Sequence, residues 1–434
     1  MAALASQSGL GAGPERIVVV LPVQHESGQR ISLFPVLTMK TLPLAWRSYV
    51  ALVVGSSAAV VAAVLGLNYV LDPYLIHQWQ TPRMYQLRPQ REKLSAWGKT
   101  YALARLRPQV VYLGNSRTEL GLPADFPAFA KQQVFNAALS GASLSDAMGM
   151  ARHAAYMGPV QTAVWGIDAP SFHLAVGNTD FNRELVADAR WYGLRRTLLD
   201  LKRALSVDMT LDSLRILRGT YGSVCQSSLV FRGQRDDACI NDRIHGWGGT
   251  QAAIAPRLDE FVRGDGPEAD ALAALDHSVQ QLCNVRTRVR LYINPTHAMM
   301  LDALYWSGKW RAMEQWQVAL TNWAAKMRGR QCDVRLFDFS GFNSVTTEAI
   351  PKASGQRGMQ YYWETSHYRA NVGRMILARL FASGDVPADF GVELLPQQMA
   401  QHLAALRAGR EAFHQDHPIE TAMARQAAAG ARQP

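Results

Sequence analysis

Residues 108–121, PQVVYLGNSRTELG, begin as a short apolar run with β-branched residues, break at Gly114-Asn115-Ser116 and continue into a helix start. A short apolar run closed by a turn signal is the layout of a buried parallel strand. Open α/β sheets bind ligands at the carboxyl ends of their strands, so a serine at this break carries its hydroxyl to a ligand-binding edge. Ser116 also fits a plainer role, because serine is a preferred helix N-cap. A motif this short leaves both readings open.

The same alternation continues along the chain. Gln133–Ala137 reads as a second strand, 139–143 as a turn and Leu144–Tyr156 as a helix. Gln161–Ile167 is a third strand, closing on Asp168. The pattern then breaks over 172–266, where helical patches (Leu194–Leu205, Met209–Leu217) mix with a Gly/Asp-rich loop. This segment reads as an insertion over the sheet edge, with DRIHGWGG (242–249) as a rim loop. Alternation returns with a helix at Glu268–Leu282, a strand at Val289–Ile293, a helix at Met313–Met327 and a fifth strand at Asp333–Phe339. A loop (341–358), a helix at Ala370–Leu380, a further helix at Gln397–Gly409 and a frayed tail from Thr421 complete the reading. Alternating strands and helices imply an α/β fold with a parallel sheet covered on both faces.

Tyr49–Leu71 contains no charged residue. A helix of this length spans about 34 Å, enough for a bilayer core. Trp46 and Tyr69 suit the two interfaces. A cleaved signal peptide has a shorter apolar region and a small-residue cleavage site, whereas this run ends in Asn68-Tyr69-Val70-Leu71-Asp72-Pro73. The run therefore reads as a single-pass anchor. Residues 1–45 read as poorly structured, with Met39 an alternative start, and 72–107 as a membrane-proximal connector. Basic residues on both flanks leave the positive-inside rule undecided. The net charge of +10 is scattered, without basic runs or an aromatic-basic ladder, so no nucleic-acid partner is expected.

Glu364-Thr365-Ser366-His367, near the far end, adds an acid three residues before a histidine. A serine after the first strand and an acid-x-x-His after the last is the order of the SGNH (GDSL-type) hydrolases and acyltransferases, which the chain resembles over 108–382. Gly114-Asn115-Ser116-Arg117 matches the nucleophile block, Gly141 the block-two glycine and Gly166-Ile167-Asp168 the third block. The resemblance implies a three-layer, flavodoxin-like domain with a five-stranded parallel sheet. It implies a Ser116, His367, Glu364 triad, with Gly141 and the Ser116 N–H as oxyanion donors and Asn115 and Arg117 beside the substrate. An unactivated serine is a weak nucleophile; a histidine must take its proton, and a carboxylate must fix the histidine tautomer. Glu364 and His367, on a turn or first helical turn, face the same way. The alternative for His367 is packing beside Tyr368.

Two departures stand out. The acid is Glu rather than Asp. The third block carries Asp168 in place of an oxyanion-donating Asn, and an ionised carboxylate cannot donate; pairing with Arg117 is its other expected role. His297, after the fourth strand, is expected either to line the pocket or to cap and pack. His153, His245 and His277 form no metal spacing, and no cofactor is expected. Trp306, Trp310, Trp316 and Trp323 recur at partly helical spacing and read as packing.

The anchor, its Asn-Tyr-Val-Leu-Asp-Pro-Tyr exit and the Gly-x-Ser-Arg block resemble the membrane-tethered branch of this family, which serves teichoic acid D-alanylation and alginate O-acetylation. That branch implies a bacterial inner-membrane protein with an extracytoplasmic domain, an envelope glycan substrate and a polytopic membrane-bound O-acyltransferase partner. A non-catalytic assembly factor on a degenerate scaffold is the competing expectation. In that oxidising compartment Cys225–Cys239 and Cys283–Cys332 are expected to pair.

Overall fold

The computed structural model describes residues 44–79, 94–178, 180–182, 184, 186–187, 190–221, 227–264, 266–351 and 358–431. The chain divides into two compact units, Met1–Ala63 and Val64–Pro434. Residues 1–43, expected to lack structure, fall outside the described residues, as does the middle of the connector. The first unit is described as the opening of helix α1 (Leu44–Leu71). From residue 45 to residue 63 its side chains are exposed, and the helix is long and apolar enough to cross a membrane.

The second unit is an α/β domain. In chain order it contains α2 (Ala96–Leu106), β1 (Val110–Leu113), α3 (Ser116–Gly121), β2 (Val134–Asn136), α4 (Leu144–Met157) and β3 (Thr162–Ile167). The inserted region follows, with α5 (Tyr192–Ala204), α6 (Val207–Leu217), α7 (Asp237–Gly246) and α8 (Thr250–Arg263). Then come α9 (Ala269–Asn284), β4 (Arg288–Ile293), α10 (Ala298–Trp306), α11 (Trp310–Gly329) and β5 (Val334–Asp338). The chain closes with β6 (Tyr362–Glu364), β7 (His367–Tyr368), α12 (Ala370–Leu380), β8 (Val392–Glu393), α13 (Met399–Asp416) and α14 (Pro418–Gly430).

The main sheet has the order β2-β1-β3-β4-β5-β8. Its first five strands pair in parallel, for example Val111 with Ala163 and Trp165 with Leu291. β1 and β3 are buried along their whole length, as expected of strands covered on both faces. Alternate residues feed two separate cores: Val111 and Leu113 pack with Trp165 and α9, while Val110 and Tyr112 pack with Tyr292 and α10.

The structure corrects three expectations and decides a fourth. The sheet has a sixth strand: β8 pairs antiparallel with β5, Phe337 opposite Glu393. A two-residue strand is too short for a periodic signal, and it is fixed by the Arg335–Glu393 ion pair rather than by an apolar pattern. The expected rim loop at 242–249 is helical to Gly246, capped by the Asp236 side chain. Of the two placements expected for Glu364 and His367, the structure has the turn: they lie opposite each other across Thr365-Ser366 in the β6–β7 hairpin. The tail expected to fray from Thr421 is helical to Gly430, because Pro418 starts α14 and Ala424 and Ala428 are buried against the core.

Cys283 and Cys332 form a disulfide with Cα atoms 5.3 Å apart, tying the end of α9 to the chain two residues before β5. The Cys225–Cys239 pairing falls outside what is described. The formed bridge closes a loop of 49 residues. Replacing both cysteines by serine is expected to lower the unfolding free energy by about 4 kcal/mol through restored freedom of the unfolded chain. Thermal unfolding of the Cys283→Ser/Cys332→Ser variant, compared with the parent, measures this.

Candidate active site

The nucleophile turn follows directly from β1. Gly114 adopts φ +138, and a Cβ there would meet Thr118 Oγ1 at 2.6 Å and the Gly166 carbonyl at 2.7 Å, so the sharp exit needs glycine. Asn115 is the N-cap of α3, its side chain accepting the Arg117 N–H at 3.1 Å. The capping role that serine might have filled therefore belongs to Asn115. Ser116 is left as the first helical residue, partly exposed.

Ser116 Oγ lies 2.8 Å from His367 Nε2. The other ring nitrogen, Nδ1, contacts Glu364 Oε1. The second carboxylate oxygen of Glu364 accepts the Ser366 N–H at 2.7 Å, and Arg257 Nε stands 3.7 Å from the first. Burial opposes ionisation of Glu364, but His367, the Ser366 N–H and Arg257 together hold its carboxyl below the usual range. An ionised acceptor on Nδ1 leaves Nε2 free to accept the serine proton.

Two further groups hold the surrounding loops. Arg117 donates from Nε to the Ser366 carbonyl at 3.1 Å and from Nη2 to Ser366 Oγ at 2.9 Å; its Nη1 pairs with Asp168 at 3.0 Å. Asp168 also accepts from Asn115 at 2.7 Å, Ser171 at 3.0 Å and Asn294 at 3.2 Å. On the other side, fully buried Lys99 donates to Glu119 at 2.9 Å and to the Ala138 carbonyl. Glu119 accepts from Ser140 and Ser227 and faces Arg235 at 3.2 Å. Burial works against its charge, but Lys99, Arg235 and the two hydroxyls bring its pKa down to about 2. This network fixes the residues just before Gly141, which adopts φ +68 at the cleft.

The Ser116–His367 pair opens into a cleft of about 400 Å³ that also contains Asn115, Arg117, Gly141 and Asp168. Of the expected oxyanion groups, the Ser116 N–H sits at the first turn of α3, where no intrahelical acceptor exists. The Asn115 amide is already committed to Asp168 and Ser171. Asp168 presents only acceptors, all engaged by donors. His297 is the exception among the expected site residues. It is fully buried and caps α10, Nδ1 accepting the Met299 N–H at 3.2 Å and Nε2 donating to the Glu348 carbonyl at 2.6 Å. Burial lowers its pKa to about 4, and it does not line the cleft.

Several lining residues come from the insertion and carry no recognisable motif. Arg257 reaches Glu364 from α8, whose interior Pro256 obscures its helical pattern. Arg243 lies 4.9 Å from the ring centroid of exposed Trp247, and Arg257 lies 5.6 Å from the same centroid. Among the described residues Arg243 has no carboxylate partner; burial and the neighbouring Arg235 and Arg257 cations depress its pKa. The buried indole N–H of Trp363, also at the cleft, finds no acceptor among the described residues. The DRIHGWGG segment was the one legible signal for this rim. Among the described residues no group of three or more His, Cys, Asp or Glu side chains is placed to hold a metal ion.

Asp168→Asn is a direct probe of these contacts. It leaves the buried Arg117 guanidinium unpaired and sets an amide N–H₂ among groups that already donate. A stability loss of about 3 kcal/mol is expected, with no gain in any Ser116-dependent activity. Chemical denaturation alongside an activity assay reads both; an activated, equally stable variant would mean that Asp168 restrains the site rather than building it.

Comparison with known proteins finds no matching family model and no matching curated protein.

Proposed function

We propose that the chain is a membrane-anchored serine acyltransferase or esterase of the SGNH type that acts on a cell-envelope polysaccharide. The observation that carries this reading is the Ser116–His367–Glu364 array, with Ser116 Oγ 2.8 Å from a ring nitrogen whose partner nitrogen faces a buried carboxylate. The parallel order β2-β1-β3-β4-β5 agrees with a flavodoxin-like domain, and the array stands at its carboxyl edge. α1, with its length and apolar character, supports the anchor. The resemblance to the tethered family supports a bacterial inner-membrane location with the domain outside the cytoplasm, beside a polytopic O-acyltransferase.

Ser116 Oγ attacks the donor's acyl carbonyl while His367 Nε2 takes its proton. Glu364 stabilises the resulting imidazolium without itself being protonated. The oxyanion forms against the Ser116 and Gly141 N–H groups. Collapse breaks the bond to the leaving group, which takes the proton from His367 and leaves acyl-Ser116. An acceptor hydroxyl, or water in the esterase case, then attacks the acyl carbon. His367 removes that proton and returns it to Ser116. Arg243, Arg257 and exposed Trp247 at the rim favour an acceptor combining anionic groups with sugar faces.

The assay is turnover of a chromogenic acyl ester by the full chain in detergent. Ser116→Ala and His367→Ala are each expected to reduce turnover by at least about a thousandfold without unfolding the protein. Glu364→Ala should be milder by about one to two orders of magnitude, because the acid orients and stabilises rather than reacts. Equal turnover by parent and Ser116→Ala would favour the non-catalytic reading. Asp168, which stands where a donor is expected, is the feature that keeps that reading in view.

A further inference from the structure

Helix α5 is inverted for a helix on a soluble domain. Leu194, Leu198, Leu201 and Leu205 recur at the spacing of one helical face, and all four are exposed, Leu194 at 60% and Leu198 at 57%. Two of the three arginines of α5 turn the other way. Arg196 is buried, donating to Thr100 Oγ1 at 2.7 Å and standing 3.8 Å from the Tyr101 ring centroid; Arg203 lies 4.2 Å from that of Trp97. A surface helix normally buries its leucines and exposes its charges. The next helix extends the outward apolar face, with Val207 73% and Leu211 46% exposed. Contiguous exposed apolar surface of this kind marks an interaction site.

The position of this face indicates what covers it. Helices α5 and α6 are joined to the last turns of α1. Asn68 is fully buried and donates to the Ala204 carbonyl at 2.8 Å and to Thr210 at 3.0 Å, while Ser213 donates back to it at 2.7 Å. Leu71 packs with Ile216 and Tyr221, and the Tyr221 hydroxyl donates to the Pro73 carbonyl at 2.8 Å. The leucine face is thus attached where the apolar run ends. Exposed Tyr69 pairs with Trp79 at 5.3 Å between ring centroids, and Trp191, 65% exposed, opens α5. Aromatic residues of this kind collect at bilayer interfaces. Arg195 and Lys202 are exposed beside the leucine face, where lipid phosphates would meet them.

We infer that α5 and α6 form an interfacial collar. They lie in the headgroup–acyl boundary of the bilayer that α1 enters, with their leucines among the acyl chains and Arg195 and Lys202 on lipid phosphates. The partner is the lipid surface itself. The collar fixes the tilt of the second unit on the membrane, which a single flexible tether does not. The inference rests on α1 spanning the membrane, and its test separates the two claims.

The full chain is reconstituted in phosphatidylcholine–phosphatidylglycerol vesicles with no other protein. An environment-sensitive fluorophore is placed in turn at Val60→Cys, Leu198→Cys, Val207→Cys and Ile419→Cys, with labelling of the parent chain subtracted. Nitroxide-bearing lipids report contact with the bilayer. Labels at 60, 198 and 207 are expected to lose most of their fluorescence, and the label at exposed Ile419 to keep it. Adding Leu194→Glu and Leu201→Glu should restore emission at 207 while leaving 60 quenched. Quenching at 60 but not at 198 or 207 overturns the collar, leaves the anchor standing and assigns the leucine face to a protein partner. Absence of quenching at 60 removes the anchor and the collar together.

Discussion

The Arg117 guanidinium connects parts of the chain that are 249 residues apart, and the geometry around Ser116 depends on it. A buried cation must have its charge balanced and its N–H groups accepted, because an unpaired one costs several kcal/mol. Arg117 meets that demand with Asp168 at the end of β3 and with both oxygens of Ser366 in the β6–β7 hairpin. It immediately follows Ser116. Satisfying the arginine therefore places the histidine-bearing hairpin against the serine-bearing turn. A polar chain continues beneath it: the Thr118, Tyr292 and Tyr368 hydroxyls lie within 3.0 Å of one another in sequence, and Tyr368 donates to Asn294, which donates to Asp168. Linked buried hydrogen bonds of this type define one arrangement and penalise others.

The chain's positive charge serves different physical ends in different places. Lys99 and Arg235 stabilise Glu119 and through it the loop before Gly141. Arg257 supports the Glu364 carboxylate. Arg243, which has no carboxylate partner among the described residues, leaves positive potential at the mouth of the cleft. Arg196 and Arg203 instead stack on the aromatic residues of α2 and Tyr74, which lets leucines occupy the opposite face of α5. A net charge of +10 describes none of this, because each arginine's effect is set by what stands within a few ångströms of it.

Features with a local cause were legible in the sequence. β1 and β3 show as short apolar runs, the turn at Gly114 needs a residue tolerant of positive φ, and acid-x-x-His marks a recurring chemical arrangement. The Arg117–Asp168 pair was legible because a carboxylate at a strand end needs a donor. Other features depend on tertiary contacts. β8 exists because Val392 and Glu393 meet the edge of β5, not because of their own propensity. Arg257 reaches Glu364 through the packing of an inserted helix interrupted by Pro256. His297 sits at the same sheet edge as the serine, but its ring turns inward to cap α10; strand-end position gives the edge and not the direction of the side chain. The α14 tail looked frayed because its alanines carry no charge pattern, yet small residues are what allow a helix to seat closely on the core.

The proposed chemistry depends on activation of Ser116 by His367. The most direct measurement is intact-protein and peptide mass spectrometry after treating the full chain with a fluorophosphonate. If His367 activates Ser116, one phosphonyl adduct forms on Ser116, rapidly in the parent, absent in Ser116→Ala and strongly slowed in His367→Ala. A chain that stays unmodified while folded, or that carries the adduct on a different serine, would contradict it.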